Sequence, residues 1–288
     1  MRIFLISLCI LANAFRLDAQ HFELGATVGA SNYLGDLTPS GLWTSLGDTH
    51  VSAGAFVRYN ILGWAAIRGG VNYGKISATD ANAAFGSQRL YRNLSFRSNV
   101  FEIALTTEFN ILRYEAYNLR RPFSPYIFAG IAIYKFNPQT KFNGKWYDLQ
   151  PLGTEGQGLN GYQEKYALTQ LSIPLGFGIK FTKNDKWNFG FEFGMRKTFT
   201  DYLDDVSRYY PDLTELAHVN GDIAAELSWR TDELMPDADP PQIGSGRGDL
   251  NDLDWYIFTG FFFSYNFFGN HYLETRREKV KVRCAFFD

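Results

Sequence analysis

The chain has 288 residues and a formal net charge of -2, room for one large all-β domain or two ordinary ones. Near-neutrality excludes a nucleic-acid binder that works by bulk positive charge. Aromatics make up 17% of it, with 27 glycines, a composition of strands and turns rather than of helices.

MRIFLISLCILANA opens the chain: Arg2, an apolar core from Ile3 to Ala12, then the small residues of Ala12-Asn13-Ala14, with Ala19 before Gln20 as a second cleavage point. This reads as a secretory signal peptide, assigned to residues 1–19. Its apolar run is too short to span a bilayer as an ordinary helix. Leu8 precedes Cys9 where a lipoprotein signal expects a small residue. Removal of Cys9 leaves Cys284 alone, so no intramolecular disulfide is expected.

The remainder has no apolar run of about 18 residues, so no membrane-spanning helix is expected. It is built instead of segments alternating with period two. Phe22, Leu24, Ala26, Val28 and Ala30 alternate with Glu23, Gly25, Thr27, Gly29 and Ser31. Val51 to Ile61 and Trp64 to Gly74 repeat the pattern, with Arg58 and Arg68 on the polar parity. In the fourth segment Phe101, Ile103, Leu105, Phe109 and Ile111 oppose Glu102, Ala104, Thr106, Glu108 and Asn110. The fifth, Tyr126 to Phe136, is apolar on both parities, which leaves its faces unassigned. In the sixth, Leu171 to Ile179 oppose Gln170, Ser172, Gly176, Gly178 and Lys180; in the seventh, Trp187 to Met195 oppose Asn188, Gly190, Glu192, Gly194 and Arg196. The eighth, Trp255 to Phe268, is aromatic throughout.

Segments of about 10 to 14 residues suit tilted, bilayer-spanning strands. Loops at 32–50, 77–97, 138–165 and 201–253 are long, while those at 62–63, 113–123 and 182–186 are shorter. That order of lengths fits a barrel with long loops outside and short turns in the periplasm. The expected fold is all-β: a transmembrane antiparallel up-and-down β-barrel of about eight strands over residues 20–268, set in outer-membrane lipid.

The charges sharpen this. Glu23, Arg58, Arg68, Glu102, Glu108, Lys180, Glu192 and Arg196 all lie on the polar parity, four acidic and four basic. Eight strands enclose room only for side chains, and charges buried there must pair. The set therefore predicts a side-chain-filled lumen with an ion-pair network, and no open pore. Lys75, Lys135 and Lys197 depart from the pattern near strand ends, where lysine snorkels to headgroups. A secreted, soluble β-sandwich or lipocalin-like barrel would also alternate, with its apolar parity inward.

From Asp201 to Asp254 the last long loop carries 14 acidic residues against Arg208, Arg230 and Arg247. Asp201, Asp204 and Asp205 lack the DxDxDG spacing of a calcium loop. They read as a solvated acidic rim paired with Arg196, Lys197 or Arg208, with a divalent-ion site as the second reading. Arg247-Gly248-Asp249 matches a cell-adhesion tripeptide, a three-residue pattern of low specificity. None of His21, His50, His218 and His271 has metal-ligand spacing with another. His50, beside Ser52 and near Asp48, imitates a nucleophile–base pair at the barrel lip. No catalytic residue, metal or cofactor is assigned.

Residues 269–288 form an expected periplasmic tail, in which Arg276, Arg277, Lys279, Lys281 and Arg283 outnumber Glu274, Glu278 and Asp288. The turn 113–123 adds Arg113, Arg120 and Arg121. Disorder is the default for such a tail, but alternating Val280, Val282 and Phe286 favour an extended strand on a partner.

FELGATVGASNYLGDL, FSPYIFAGIAIYKFNP and FGMRKTFTDYLDDVS resemble the PorG-like outer-membrane β-barrel family of the Bacteroidetes type IX secretion system, across about Phe22 to Phe268. YLGD at Tyr33 to Asp36 and TDYLDDVS at 200–207 are the most specific pieces. The resemblance implies a non-enzymatic barrel that docks the periplasmic ring of that machine, built from a lipoprotein and its partner protein. Alternatives are a small outer-membrane enzyme modifying lipid and a structural or adhesive outer-membrane barrel.

Overall fold

A computed structural model describes residues 22–38, 46–114, 122–184, 186–249 and 252–267. The expected signal peptide and the tail with Arg276, Arg277, Lys279, Lys281 and Arg283 lie outside the described residues, as does most of the turn at 113–123. The strands are β1 (Phe22–Leu34), β2 (His50–Leu62), β3 (Ala65–Thr79), β4 (Ser95–Asn110), β5 (Phe123–Lys135), β6 (Pro138–Phe142), β7 (Lys145–Asp148), β8 (Thr169–Asn184), β9 (Trp187–Thr198) and β10 (Trp255–Asn266). Each pairs antiparallel, in the order β3-β2-β1-β10-β9-β8-β5-β4-β6-β7, and a further β3–β4 pairing closes the sheet on itself. β6 and β7 hang as a hairpin on β4 through Arg97↔Gln139, so eight strands make the wall. Short helices sit in the connections: α1 (Gln88–Arg92), α2 (Leu149–Leu152), α3 (Leu213–Asn220) and α4 (Asp222–Ser228). Among the described residues no helix is long and apolar enough to cross a membrane; the crossing elements are strands.

The wall is inverted relative to a water-soluble barrel. Glu23, Arg58, Glu102, Glu108 and Lys180 are buried inside, while Val28, Val51, Ile103, Leu105, Ile131, Leu171 and Phe177 are exposed on the outside. Only a hydrocarbon surround makes that arrangement favourable. The soluble sandwich or lipocalin reading is thereby corrected: this is a multi-pass outer-membrane barrel. Four cross-strand aromatic pairs, Phe22–Tyr59, Trp64–Phe109, Phe123–Phe181 and Trp187–Tyr265, gather at the periplasmic strand ends and form a girdle of the kind that sits at a membrane interface.

The structure assigns the two segments that hydropathy could not. In β5 the lumen takes Tyr126, Phe128, Ala132 and Tyr134, and the lipid side takes Ile127, Ile131 and Ile133. In β10 the lumen takes Tyr256, Phe258 and Phe262. The inward rings meet hydroxyls and guanidinium groups; on the lipid side β5 leaves isoleucines, while β10 leaves Phe261 and Phe263. The rings fit because glycine stands opposite: a Cβ at Gly25 would lie 2.3 Å from the Phe56 ring, and one at Gly190 2.3 Å from Phe262.

Strand lengths then decide what stands outside the bilayer. A tilted strand climbs roughly 2.5 Å per residue, so about ten residues cross the apolar band. β9 and β10 have 12 residues each, but β3 has 15 and β4 has 16. The β3–β4 pair projects beyond the membrane and carries the outer loops with it. Leu175→Arg, at mid-strand on the lipid face, is expected to cost about 2–4 kcal/mol, and Leu34→Arg at the end of β1 about 0–1 kcal/mol. Urea titrations in lipid vesicles measure both.

Candidate functional site

Register sets Glu23 across from Arg58, an opposite pair, but it also sets Arg58 across from Arg68, a like one. Two arginines on adjacent strands repel, and the remedy is Glu108 on β4. It accepts from Arg58 Nε at 2.9 Å and Lys180 Nζ at 2.8 Å, and Arg68 Nη1 stands 3.5 Å away. Arg58 also donates to Glu23 at 2.8 Å, and Arg68 to Glu192 at 2.5 and 2.9 Å. Nearer the outer end, Arg196 Nε donates to Glu102 at 3.1 Å. The eight predicted lumen charges thus lie inside the barrel, six of them in one network around Glu108, and Glu102 with Arg196 as a separate pair.

Rings complete the filling. The Arg58 guanidinium lies 4.8 Å from the Phe56 centroid and 5.0 Å from Phe262, and Arg68 lies 5.3 Å from Phe128. These faces attract cations where no further acceptor fits. Tyr126 donates to Glu192 at 2.7 Å and Tyr256 to Glu102 at 2.8 Å. Voids of about 30 and 20 Å³ remain beside Glu192 and Arg196, room for a water or two and no more.

The periplasmic mouth is closed by a residue the alternation does not reveal. Tyr114, from the turn after β4, is buried, with its hydroxyl 2.8 Å from Thr182 Oγ1 and donating to Asn188 at 3.0 Å. Lys180 Nζ stands 4.9 Å from its ring.

The outer mouth corrects the rim reading. Asp201, Asp204 and Asp205 are only 7%, 1% and 0% exposed, and among the described residues none forms an ion pair with Arg196, Lys197 or Arg208. Arg196 is committed to Glu102, Lys197 lies over Trp255, and Arg208 turns to the Gln163 amide. The reason is that the loops fold over the barrel as a cap with its own core, in which Leu203, Val206 and Leu227 pack with Leu37, Phe96 and Tyr134. Alternation cannot report that core, because it belongs to irregular chain.

Aspartates anchor the cap from within. Tyr33, at the top of β1, has its hydroxyl 2.7 Å from Asp204 Oδ2 and 2.6 Å from Asp254 Oδ1. One hydroxyl hydrogen serves only one of these contacts, so a carboxyl proton must serve the other. Burial, followed by the neighbouring aspartates, accordingly pushes Asp204 and Asp254 well above the usual carboxylate range. Asp254 also accepts the Leu203 N–H at 2.8 Å. Asp205 takes Thr154 at 2.5 Å and Tyr166 at 2.6 Å. Asp36 accepts the Asp249 N–H at 3.0 Å, and Asp80 holds Arg92 at 2.7 Å, which in turn reaches the Arg247 carbonyl. All four outer loops are tied together.

The remaining candidates change as well. Arg247 of the adhesion-like tripeptide is buried, donating to Glu155 at 3.1 Å, to the Asp205 carbonyl at 2.6 Å and to the Ser228 carbonyl at 3.1 Å, so it is a strut and no free recognition loop. His50 Nε2 contacts Ser77 Oγ at 2.7 Å, while Ser52 points into the lumen away from that pair. Among the described residues no group of three or more His, Cys, Asp or Glu is placed to hold a metal ion.

A family described as a domain of unknown function, DUF6089, matches residues 1–225. The chain belongs to the DUF6089 family. No curated protein matches it. Among solved structures, this DUF6089 chain is similar to Neisserial surface protein A (8% identity, 85% of this chain and 97% of that one, TM-score 0.39). It is also similar to Ail of Yersinia pestis (8%, 85% and 98%, 0.38) and to the N-terminal β-barrel domain of Pseudomonas aeruginosa OprF (9%, 85% and 98%, 0.34). Its architecture rests on its own strand pairing.

Glu108→Gln is expected to destabilise the barrel by about 3–5 kcal/mol, because three buried cations lose their shared counter-charge; the unfolding midpoint in urea reads this. In the cap, burial first and then the charge of Asp36 push Asp201 up to about 8, and burial pushes Asp205 to about 6, from an ordinary 3.8. The folded cap therefore holds protons that the unfolded loop releases. The stability this provides is full below the ordinary value and is lost as pH rises through about 6 to 8. Proteolysis of the 199–254 loop should be faster at high pH than in mild acid, and Asp201→Asn should reduce the difference.

Proposed function

We propose that this DUF6089 chain is a non-enzymatic outer-membrane barrel that works through its two ends, a structural or adhesive element rather than a channel. The observation that carries this reading is the filled lumen, with voids of about 30 and 20 Å³ between paired charges. No solute crosses such an interior, so function falls to the cap outside and to the turns and tail inside. The reconstituted protein is expected to conduct negligibly in planar bilayers; a stable, large unitary conductance would overturn the reading.

A narrower proposal is that the inner end docks the ring lipoprotein and partner protein of a type IX secretion machine. Its support is the resemblance carried by YLGD and TDYLDDVS. Those residues, Tyr33, Asp36, Asp204 and Asp205 among them, hold the cap together, so they speak for a shared barrel more strongly than for a shared ring contact. In this proposal the contact falls to the turn at 113–123 and to the basic tail with Arg276, Arg277, Lys279, Lys281 and Arg283, whose positive potential would steer an acidic partner. Truncation after Phe268 is expected to leave a heat-modifiable, folded barrel that no longer co-purifies with the ring. Full recovery of the ring with the truncated chain would move the contact to the turn or discard the docking role. In a deletion strain, loss of secretion with unchanged lipid acylation supports the machine, and the opposite result supports a lipid-modifying enzyme.

A further inference from the structure

The stretch GTEGQGLNG, Gly153 to Gly161, carries glycines with φ of 61°, 82°, 91° and 86° at Gly153, Gly156, Gly158 and Gly161. Left-handed backbone at that spacing is open to glycine at little cost, and it coils the segment so that Glu155 and Gln157 turn inward and are buried. Opposite them runs a strap from Ser207 to Tyr210, pinned to the chain near Arg247: Arg247 N–H donates to the Arg208 carbonyl at 2.7 Å, and Tyr209 bridges to Gly246. Between coil and strap lies an open cleft of about 280 Å³ on the cap.

Its walls are three tyrosines, Tyr162, Tyr202 and Tyr209, with Tyr162 and Tyr209 exposed. Its floor and lip are the Glu155 carboxylate, the Arg208 side chain and the amides of Gln157 and Gln163. Glu155 is fixed by the Ser207 N–H at 2.8 Å, the Arg208 N–H at 3.1 Å and Arg247 Nη1 at 3.1 Å. Gln163, with its amide oxygen turned to the guanidinium, takes Arg208 Nε at 2.8 Å. The site is thus built before any ligand arrives, which lowers the entropy lost on binding.

We propose that this cleft binds one unit of a neutral saccharide. The carboxylate lining it, Glu155, is already paired with Arg247, and the Arg208 guanidinium is held by the neutral Gln163 amide, so a cation finds no free acid and what the cleft offers a ligand is hydrogen bonding. Planar donors and acceptors beside aromatic faces suit a molecule that has an apolar C–H face and a rim of hydroxyls that both donate and accept. The volume is that of a single ring, below the usual range for larger ligands. A saccharide ligand would give the adhesive part of the proposed function its chemistry, but the cleft is part of the cap whether or not the barrel docks a secretion ring.

The test uses the full chain in lipid nanodiscs and saturation-transfer NMR with glucose, galactose, mannose, fucose and N-acetylglucosamine. Lipopolysaccharide-derived polysaccharide of the producing cell and free oligosaccharides serve as competing probes. At least one neutral sugar should saturate below about 10 mM, and Tyr209→Ala should weaken it about tenfold, as loss of an aromatic contact does. Arg208→Gln, which keeps the backbone strap, should weaken it too, and Phe85→Ala, exposed elsewhere on the outer loops, should not. Competition by the cell's own polysaccharide alone makes the ligand endogenous; competition by free oligosaccharides makes it foreign. The proposal is overturned if no neutral sugar saturates, if both cleft variants bind like the parent while heat-modifiable mobility shows them folded, or if glucose 6-phosphate binds more tightly than glucose. Failure here with a normal conductance result leaves the sealed-barrel reading standing.

Discussion

Everything in this barrel depends on putting equal numbers of buried charges into a space that admits a water or two at most. A lumen of eight strands is wide enough for side chains and little else, and each ion taken from solvent costs several kcal/mol unless it finds its counter-ion. Glu108 is where that requirement is hardest to meet. Arg58 and Arg68 are brought side by side by register, and the carboxylate that contacts both also takes Lys180. The sheet closes around a network that is neutral only when complete. Glycines on the lumen side of β1 and β9 follow from the same constraint, since the rings that shield the guanidinium groups need the space that Gly25 and Gly190 leave.

The cap solves the same problem by other means. Its acids outnumber nearby bases, so pairing cannot neutralise them, and burial instead keeps protons on them. Tyr33 sits at the junction, reaching from the end of a membrane strand to Asp204 and Asp254 at 2.7 and 2.6 Å. Lumen and cap therefore differ in their dependence on conditions. Arginine–carboxylate pairs change little across the physiological pH range, whereas carboxyls held near 6 and 8 respond within it.

Strand parity made the barrel legible because lipid and lumen impose opposite demands on successive residues. Six of the eight wall strands could be faced that way, and the lumen charges Glu23, Arg58, Arg68, Glu102, Glu108, Lys180, Glu192 and Arg196 fall where parity assigns them. β5 and β10 could not be faced, since tyrosine and phenylalanine serve both sides, and only their partners decide. The cap was illegible for a different reason. Asp201, Asp204 and Asp205 sit in irregular chain without periodicity, and a dense acidic run reads as solvated unless the loop's apolar residues are known to converge. Tyr33 and Asp36 were visible as part of YLGD, but their partners lie more than 160 positions away, as with Tyr33 and Asp204.

That distance bears on what the YLGD and TDYLDDVS segments do. YLGD ends β1 and TDYLDDVS follows β9, two strands separated in the wall only by β10. Aspartates in both segments are buried and hydrogen-bonded within the cap. A barrel that loses either segment loses the closure of its outer mouth, whatever else it does. Such residues are committed to the cap, so they speak for architecture first. Function has to be sought in residues the architecture does not consume. By that criterion the exposed ring of Tyr209 and the exposed Arg208 are more informative than the buried aspartates, while Tyr162 is partly spent on the cap, its hydroxyl accepting the Asp212 N–H at 3.2 Å.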